Sequence, residues 1–316
     1  MEGIDPTRTR ARLTDERDPE PIAPKAGPKY DELPPDLVRR VADDRHLIDM
    51  SRRVREDLGA GKLDDSRYLG PAIERPTLVV DGIRPTDVVQ GSYIGDCTVE
   101  ASLASVARTE HGQAWLKSRM SENLAPDGSV ASYSVKLKIQ TPAGVFEDKS
   151  VLVYPSELSK LHSLQSDAAG NTEVWPLVWE AAIAKAVGGF EVLAKGSNVP
   201  RSSAVITGKP AVDVAPKTEP NFESKLVTDF AAGKLQVLST AKQVHDGDIH
   251  LPGAHAFTVV DVRELQLVKA KKDGDPPTYE TLVFVRNPWG TGDPPRGLTM
   301  AEAKEYFAAY SAGDVP

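Results

Sequence analysis

The sequence contains a single cysteine, Cys97, among its 316 residues. One cysteine cannot form a disulfide within the chain, and it excludes zinc ribbons, zinc fingers and iron–sulfur sites, which bind through several thiolates. A lone cysteine therefore serves either packing or chemistry.

Long apolar runs are also missing, and none approaches the roughly 20 residues that a membrane-spanning helix needs. The first residues, MEGIDP, are charged and match neither a secretory signal nor a transit peptide. We expect no membrane span and no Sec signal. The compartment stays open between a reducing one and one that is reached by non-classical delivery.

Basic residues are too few to balance the acidic ones, since 38 Lys and Arg face 46 Asp and Glu, a net charge of −8. Such a chain lacks the basic face that binds phosphate backbones, so we expect no nucleic-acid partner. Hydrophobic residues make up 40% of the chain, which is typical of a globular protein. At about 150 residues per domain, the length allows about two compact units.

The composition changes along the chain and predicts three regions. The first stretch is charged and rich in proline, which leaves too little apolar surface to order it, but apolar residues at helical spacing then predict one amphipathic helix. The regions are residues 1–60, a tail plus that helix at 36–58; residues 61–205, a helical subdomain that carries Cys97; and residues 206–316, a β-rich subdomain that carries His255 and Asn287.

Apolar periodicity predicts the main elements of the two subdomains. Helices are expected over 98–107, 173–187, 222–232 and 299–310, and strands over 76–82, 129–141, 144–153, 235–240, 254–262 and 281–286. The tryptophans of the second helix are expected in the core.

Cys97 directly precedes the first of these helices, whose sequence TVEASLASVA is rich in alanine and other small residues. Unpaired backbone N–H groups and the helix dipole at such a position stabilise a thiolate and lower the pKa of the thiol. The glycines just before it, Gly91 and Gly95, let the backbone turn and leave room for a molecule to approach the sulfur.

Two residues of the β-rich region can complete a cysteine site. His255 opens an apolar strand and Asn287 closes another, so an antiparallel pairing of these strands would place them side by side. A thiol nucleophile needs a base for its proton and a group that orients the base. Asn287 would fix the imidazole tautomer, and Trp289 would cover their hydrogen bond.

Four segments between about Pro76 and Tyr310 carry a family resemblance. In chain order they are DVVQGSYIGDC with the helix after it, EVWPLVWEAAIAKAVGGFEVL, GAHAFTVVDVRE and LVFVRNPWG. They resemble, in the same order, the protease core of the calpains, which are papain-like cysteine peptidases. The resemblance implies an α+β fold with a helical lobe for the cysteine, an antiparallel β lobe for the histidine and asparagine, and a substrate cleft between them.

By position in these segments, the resemblance implies three catalytic roles for acyl transfer on protein or peptide substrates. Cys97 would be the nucleophile, His255 the general base and then the general acid, and Asn287 the residue that orients the histidine. The chemistry requires no cofactor. Calpain cores bind calcium in acidic loops, but those loops do not match here, so calcium is not assigned to any residue.

The resemblance also implies residues around this triad. Gln90 would donate its side-chain N–H to an oxyanion hole that the backbone N–H of Cys97 completes. Trp289 would shield the histidine–asparagine bond, and Gly95, Asp96 and Thr98 would line the substrate cleft.

The sequence departs from the family pattern in three places. One residue is inserted within Ser92–Ile94, Thr98 replaces the usual tryptophan, and Glu100 replaces an apolar residue. A carboxylate at Glu100 would disfavour the thiolate unless it faced solvent or a cation. These departures motivate one alternative, a catalytically impaired pseudoprotease that binds peptides or partners.

Two further alternatives concern chemistry and metal binding. The same triad would serve a thiol amidase, deamidase or acyltransferase. His245, His250 and His255 resemble a metal cluster, but a spacing of five in one strand sends side chains to opposite faces. We expect exposed loop histidines and no metal site there; the oligomeric state stays open.

Overall fold

The computed structural model describes residue 73 and residues 75–91, 94–158, 172–247, 249–267, 278–290 and 295–316. The predicted tail and helix of residues 1–60 lie outside these ranges. Across the described ranges, every helix is too short or too polar to traverse a lipid bilayer.

The helices and strands alternate along the chain. The helices are α1 (Cys97–Val106), α2 (Glu110–Ser118), α3 (Trp175–Val187), α4 (Phe190–Leu193), α5 (Val199–Thr207), α6 (Phe222–Ala231) and α7 (Met300–Tyr306). The strands are β1 (Pro76–Thr77), β2 (Met120–Leu124), β3 (Val130–Gln140), β4 (Phe146–Val153), β5 (Thr172–Glu173), β6 (Val212–Val214), β7 (Leu235–Thr240), β8 (Val244–Asp246), β9 (Ile249–Leu251), β10 (His255–Leu267), β11 (Thr278–Arg286), β12 (Arg296–Thr299) and β13 (Ala309–Gly313).

A six-stranded antiparallel sheet in the order β12-β11-β10-β7-β13-β6 organises the second half of the described chain. The first residue of β10, His255, pairs with Thr240 at the end of β7. Strand β11 runs in the opposite direction beside β10 and ends at Arg286, opposite Thr258. The start of β10 and the end of β11 therefore meet at one edge of the sheet.

Two apolar cores hold the fold together. The first joins α1 and α3 to the three-stranded sheet β2-β3-β4, and both predicted core tryptophans of α3, Trp175 and Trp179, are fully buried in it. The second lies under α6 and α7 and contains Phe222, Phe257 and Tyr310. The predicted mixed fold, with a helical part and an antiparallel β part, is confirmed.

Helix α1 packs directly on the six-stranded sheet and joins the two parts. The hydroxyl of Thr258 in β10 donates to the carbonyl of Ala101 at 2.9 Å, and the backbone N–H of Gln236 donates to the Ser105 hydroxyl at 2.6 Å. All four groups are buried, so these bonds fix the helix that begins at Cys97 against the strands that carry the histidine.

Three sequence predictions about elements are wrong. The strand expected over 76–82 is only the two residues of β1, and the loop expected before β10 contains the β8–β9 hairpin. The helix expected over 299–310 ends at Tyr306, because Phe307 adopts extended backbone and the next residues form β13. Strand β13 pairs with β7 on one side and β6 on the other, so sheet hydrogen bonds outweigh the local helical pattern.

The hairpin also contradicts the expectation that the side chains of His245 and His250 lie on opposite faces. His245 in β8 and His250 in β9 are direct cross-strand partners and face the same side, because a turn separates them. A spacing of five separates side chains only within one continuous strand.

Candidate active site

Cys97 is the first residue of α1 and lies at the bottom of a cleft of about 640 Å³. Its side chain is 8% exposed, so a reagent reaches the sulfur only through this cleft. The glycine two positions earlier is required by packing, because a Cβ on Gly95 would lie 2.4 Å from the carbonyl oxygen of Ala194.

The cleft brings together most residues that the sequence predicts for the site. Its lining includes the predicted residues Gln90, Gly95, Cys97, Thr98, His255 and Trp289. Asp96 does not line the cleft, because its carboxyl is buried beside Glu180. Asn287 does not line it either, but it contacts His255 from behind.

The His255 ring bonds to Asn287 where β10 begins and β11 ends. Asn287 Oδ1 lies 2.8 Å from His255 Nε2 and also accepts the backbone N–H of Trp289 at 3.1 Å. Because the same oxygen accepts from the backbone, Nε2 carries the proton in the neutral ring. Nδ1 is then the basic nitrogen.

Aromatic rings enclose this imidazole. The Trp289 indole is tilted over it with ring centroids 4.6 Å apart, and Phe257 packs edge-on at 5.0 Å. His255 itself is 6% exposed. The rings keep water from the histidine–asparagine bond, which strengthens it electrostatically.

Gln90 is held at the cleft from both sides. Its side-chain Nε2 donates to the carbonyl of Ile94 at 2.6 Å, and its backbone N–H donates to the carbonyl of Pro288 at 2.7 Å. The carbonyl of Ile94 therefore faces the glutamine, and both Gln90 and Cys97 line the cleft.

A buried arginine ties the segment before Gln90 to the end of β11. Arg286 Nη2 donates to the carbonyls of Val88 at 2.8 Å and Thr86 at 3.3 Å. Together with the Gln90–Pro288 bond, these contacts fix the approach to Gln90 relative to the strand that ends at Asn287.

Thr98 forms a polar part of the cleft wall, at the position where the resemblance to the calpains implies a tryptophan. Its hydroxyl lies 3.0 Å from the hydroxyl of Ser202 in α5, and its carbonyl accepts the Ser102 hydroxyl at 2.6 Å. The smaller side chain is thus tied to a neighbouring helix, and it lines the cleft.

Three buried carboxyl groups lie close together at the start of α1. One ligand oxygen from each of Asp96, Glu100 and Glu180 falls within 4.8 Å of the others. Burial, and then the neighbouring Glu180 carboxylate, raise the pKa of Asp96 well above its usual range. Burial and this neighbouring charge therefore favour the protonated form of the residue next to Cys97.

Glu100 is buried rather than exposed, and its negative charge acts on Arg286. Burial lowers the pKa of Arg286, while the negative charges of Glu100 and Asp87 raise it. Glu180 and Arg286 were not predicted. The one available signal for Glu180 was a glutamate inside the mainly apolar, alanine-rich sequence of α3.

This carboxyl cluster does not fit calcium. Calcium takes about six to eight oxygen ligands, whereas three residues of the described chain each bring one ligand oxygen here. It is the one group of three or more His, Cys, Asp or Glu residues at metal-binding distance in the described part of the chain.

Residues 69–294 match the family model described as calpain family cysteine protease. Human calpain-8 is 27% identical over 220 residues, which cover 68% of this chain and 29% of that protein. Human calpain-9 is 24% identical over 227 residues, covering 70% of this chain and 31% of that protein. The chain thus matches less than a third of the length of these relatives.

Proposed function

Because the chain belongs to the calpain family of cysteine proteases, we propose that it is an endopeptidase that cleaves protein substrates through Cys97, His255 and Asn287. The observation that carries the proposal is the 2.8 Å contact between His255 and Asn287 in the wall of the cleft that contains Cys97. A positioned base and its orienting group are what a thiol nucleophile needs.

In the first half of the reaction, His255 Nδ1 takes the proton of the Cys97 thiol, and the thiolate attacks the scissile carbonyl carbon. The backbone N–H of Cys97 and the second N–H of the Gln90 amide donate to the oxyanion that forms. The imidazolium then gives its proton to the leaving amine as the C–N bond breaks. The product is a thioester on Cys97 and a free amino terminus.

In the second half, His255 takes a proton from water, and the resulting hydroxide attacks the thioester. The tetrahedral intermediate collapses with the thiolate as leaving group, and the proton returns to sulfur. Asn287 Oδ1 accepts a hydrogen bond from the Nε2–H throughout and stabilises the imidazolium, while Trp289 excludes bulk water from that bond.

The test is intact-mass analysis after brief treatment with a papain-clan epoxide inhibitor, with and without calcium. Cys97 is the only cysteine, so one covalent adduct on the wild type reports this thiol. We expect fast labelling of the wild type and none of Cys97→Ala. His255→Ala should label slowly, and His111→Ala, a control on the exposed part of α2, should label like the wild type.

One observation favours a second candidate, a pseudoprotease that binds peptides or partners. Gln90, the residue proposed for the oxyanion hole, already donates one amide N–H to the carbonyl of Ile94. A folded wild type that shows no labelling with or without calcium would support this candidate. Calcium-dependent labelling would instead indicate that the cation aligns the two lobes.

Thiol amidase, deamidase or acyltransferase activity uses the same intermediates. Mass spectrometry of a treated proteome separates these activities from proteolysis. New peptide termini indicate cleavage of the backbone, whereas a unit mass gain at Gln or Asn indicates deamidation.

A further inference from the structure

The hairpin that flanks the cleft presents two imidazoles to each other. Strands β8 and β9 pair as an antiparallel hairpin, and Gly247, which follows β8, has a φ of +54°. His245 and His250 stand opposite each other across the strands, with their Nδ1 atoms 2.8 Å apart. Their rings meet edge to face, with centroids 5.0 Å apart.

From this geometry we propose that His245 and His250 form a binding site for a divalent transition metal through their two Nδ1 atoms. Imidazole nitrogen is a ligand for copper, nickel and zinc, and it is unsuited to calcium. A metal at the site replaces the ring-to-ring hydrogen bond. In the neutral pair, one ring donates the hydrogen bond from Nδ1 and the other accepts it. When the metal binds, the donating ring changes tautomer and carries its proton on Nε2, so binding releases no proton.

The spacing of the two nitrogens selects among these metals. With metal–nitrogen bonds of about 2.1 Å, the observed 2.8 Å separation subtends an angle of about 84° at the metal. That is close to the right angle between neighbouring ligands in the square-planar or tetragonal sites of Cu(II) and Ni(II). Tetrahedral Zn(II) needs the nitrogens about 3.4 Å apart, so the strands must open by about 0.6 Å.

Solvent completes the coordination. His245 is exposed and His250 is half-buried, so water reaches the remaining ligand positions. Asp246, the neighbour of His245, points to the opposite face of the strand, where it accepts a hydrogen bond from Tyr306 at 2.5 Å. Among the described residues, the site therefore has two protein ligands, both on the hairpin.

The hairpin is connected to the cleft by a short, fixed segment. Pro252, Gly253 and Ala254 follow β9 and line the cleft immediately before His255. The Thr240 hydroxyl donates to the Pro252 carbonyl at 2.5 Å and anchors that segment to β7. A metal that links β8 to β9 therefore stiffens the hairpin next to the cleft, and slower amide exchange in residues 244–251 is the expected sign.

The test uses Cys97→Ala protein, because a thiolate–imidazole pair in the cleft would itself bind these metals. Calorimetric titration with Cu(II), Ni(II), Zn(II) and Ca(II) chlorides should show one equivalent of Cu(II) bound most tightly, then Ni(II), then Zn(II), and no Ca(II). Adding His245→Ala or His250→Ala should weaken Ni(II) binding at least ten-fold. Adding His111→Ala, the removal of an exposed histidine elsewhere, should leave it unchanged.

Hydrogen exchange with saturating Ni(II) gives a second measurement. Amides of 244–251 should exchange several-fold more slowly, and the His245→Ala variant should lose this effect. The proposal is overturned if both histidine variants bind Ni(II) like their parent, if the parent does not bind, or if binding requires Cys97. None of these outcomes depends on proteolytic activity.

Discussion

The side-chain amide of Gln90 donates to the carbonyl oxygen of Ile94, four residues later in the same loop, at 2.6 Å. An amide NH₂ has two protons, so this bond orients the group and leaves one proton for a substrate oxyanion. Ile94 thereby holds the glutamine in place at the cleft.

Replacing this glutamine tests its place in the oxyanion hole. We expect Gln90→Ala to lower kcat for peptide hydrolysis by about 10²–10³-fold, the usual loss for one oxyanion donor. Alkylation of Cys97 by iodoacetamide should change little, because displacement of iodide forms no oxyanion. Both rates are measured on the same preparations.

Gln140→Ala is the matched control, because Gln140 makes the same kind of contact, to Gly144 four residues later, at an exposed site. It should leave both rates unchanged. Equal losses of hydrolysis and alkylation in Gln90→Ala would show that the substitution damages the nucleophile, and an unchanged kcat would remove Gln90 from the mechanism.

The His255–Asn287 contact gives a second prediction. Asn287→Ala removes a hydrogen bond to the imidazolium, and bonds to charged groups contribute about 1.5–3 kcal/mol. At about 1.4 kcal/mol per factor of ten, we expect both alkylation of Cys97 and kcat/KM to fall about 10–100-fold. Stopped-time alkylation followed by mass spectrometry measures the first, and a fluorogenic peptide the second.

Asn123→Ala is the control, since Asn123 bonds to Ser132 and Ser134 in the three-stranded sheet, outside the cleft lining. It should retain wild-type rates. A fall confined to hydrolysis in Asn287→Ala would contradict a role in orienting the base.

Short-range patterns in the sequence were sufficient to predict the positions of the main site residues. Cys97 begins α1 because the residues after it form helix well and glycine precedes them, and both signals are local. His255 and Asn287 lie at strand ends that the apolar runs mark. The antiparallel pairing that brings them together follows from β10 and β11 being neighbours along the chain.

The contacts that sequence reasoning missed are long-range or depend on loop geometry. Glu180 meets Asp96 only because α3 packs beside the start of α1. Arg286 reaches Val88 across almost 200 residues. The His245–His250 pair depends on a hairpin that the apolar pattern did not reveal, and a hairpin changes which side chains share a face.

The raised pKa of Asp96 predicts how stability depends on pH. Burial and the Glu180 charge favour its protonated form in the fold, whereas in the unfolded chain an aspartate loses its proton near about pH 3.9. Above that pH the folded state therefore binds more protons at this site than the unfolded state does. The free energy of unfolding consequently falls as pH increases. Asp96→Asn removes this contribution, and its stability should fall less between pH 5 and pH 9 in urea unfolding.

Asp148→Asn is the control of opposite sign. Hydrogen bonds from Arg119 and Lys138 hold the pKa of Asp148 well below its usual range, so its contribution is present at neutral pH and lost as pH falls. This variant should lose stability at pH 7 and converge with the wild type under strongly acidic conditions. If the free energy of unfolding of Asp96→Asn fell with pH as steeply as that of the wild type, the raised pKa of Asp96 would be contradicted.

The cleft also carries two cations that predict a substrate preference. Lys195 and Arg201 are both exposed, both line the cleft with Cys97, and neither has an ion-pair partner in the described part of the chain. Both also border an apolar hollow of about 200 Å³ formed by Val99, Ile183, Val205 and their neighbours. Peptides that place an acidic residue beside an apolar one should therefore be cleaved faster than peptides with lysine at the acidic position.

Charge reversal at these positions measures the effect. Exposed charge pairs contribute about 0.2–1 kcal/mol each, so Lys195→Glu or Arg201→Glu should reduce kcat/KM for the acidic peptide about two- to five-fold. The same variants should cleave the lysine peptide faster, and the differences should shrink as salt shortens the range of the charges, which is about 8 Å at physiological ionic strength. Lys117→Glu, an exposed substitution on α2 outside the cleft lining, controls for net charge and should not change the ratio. If all three variants shift the ratio equally, long-range steering by the whole protein sets the preference, and the two cleft cations do not.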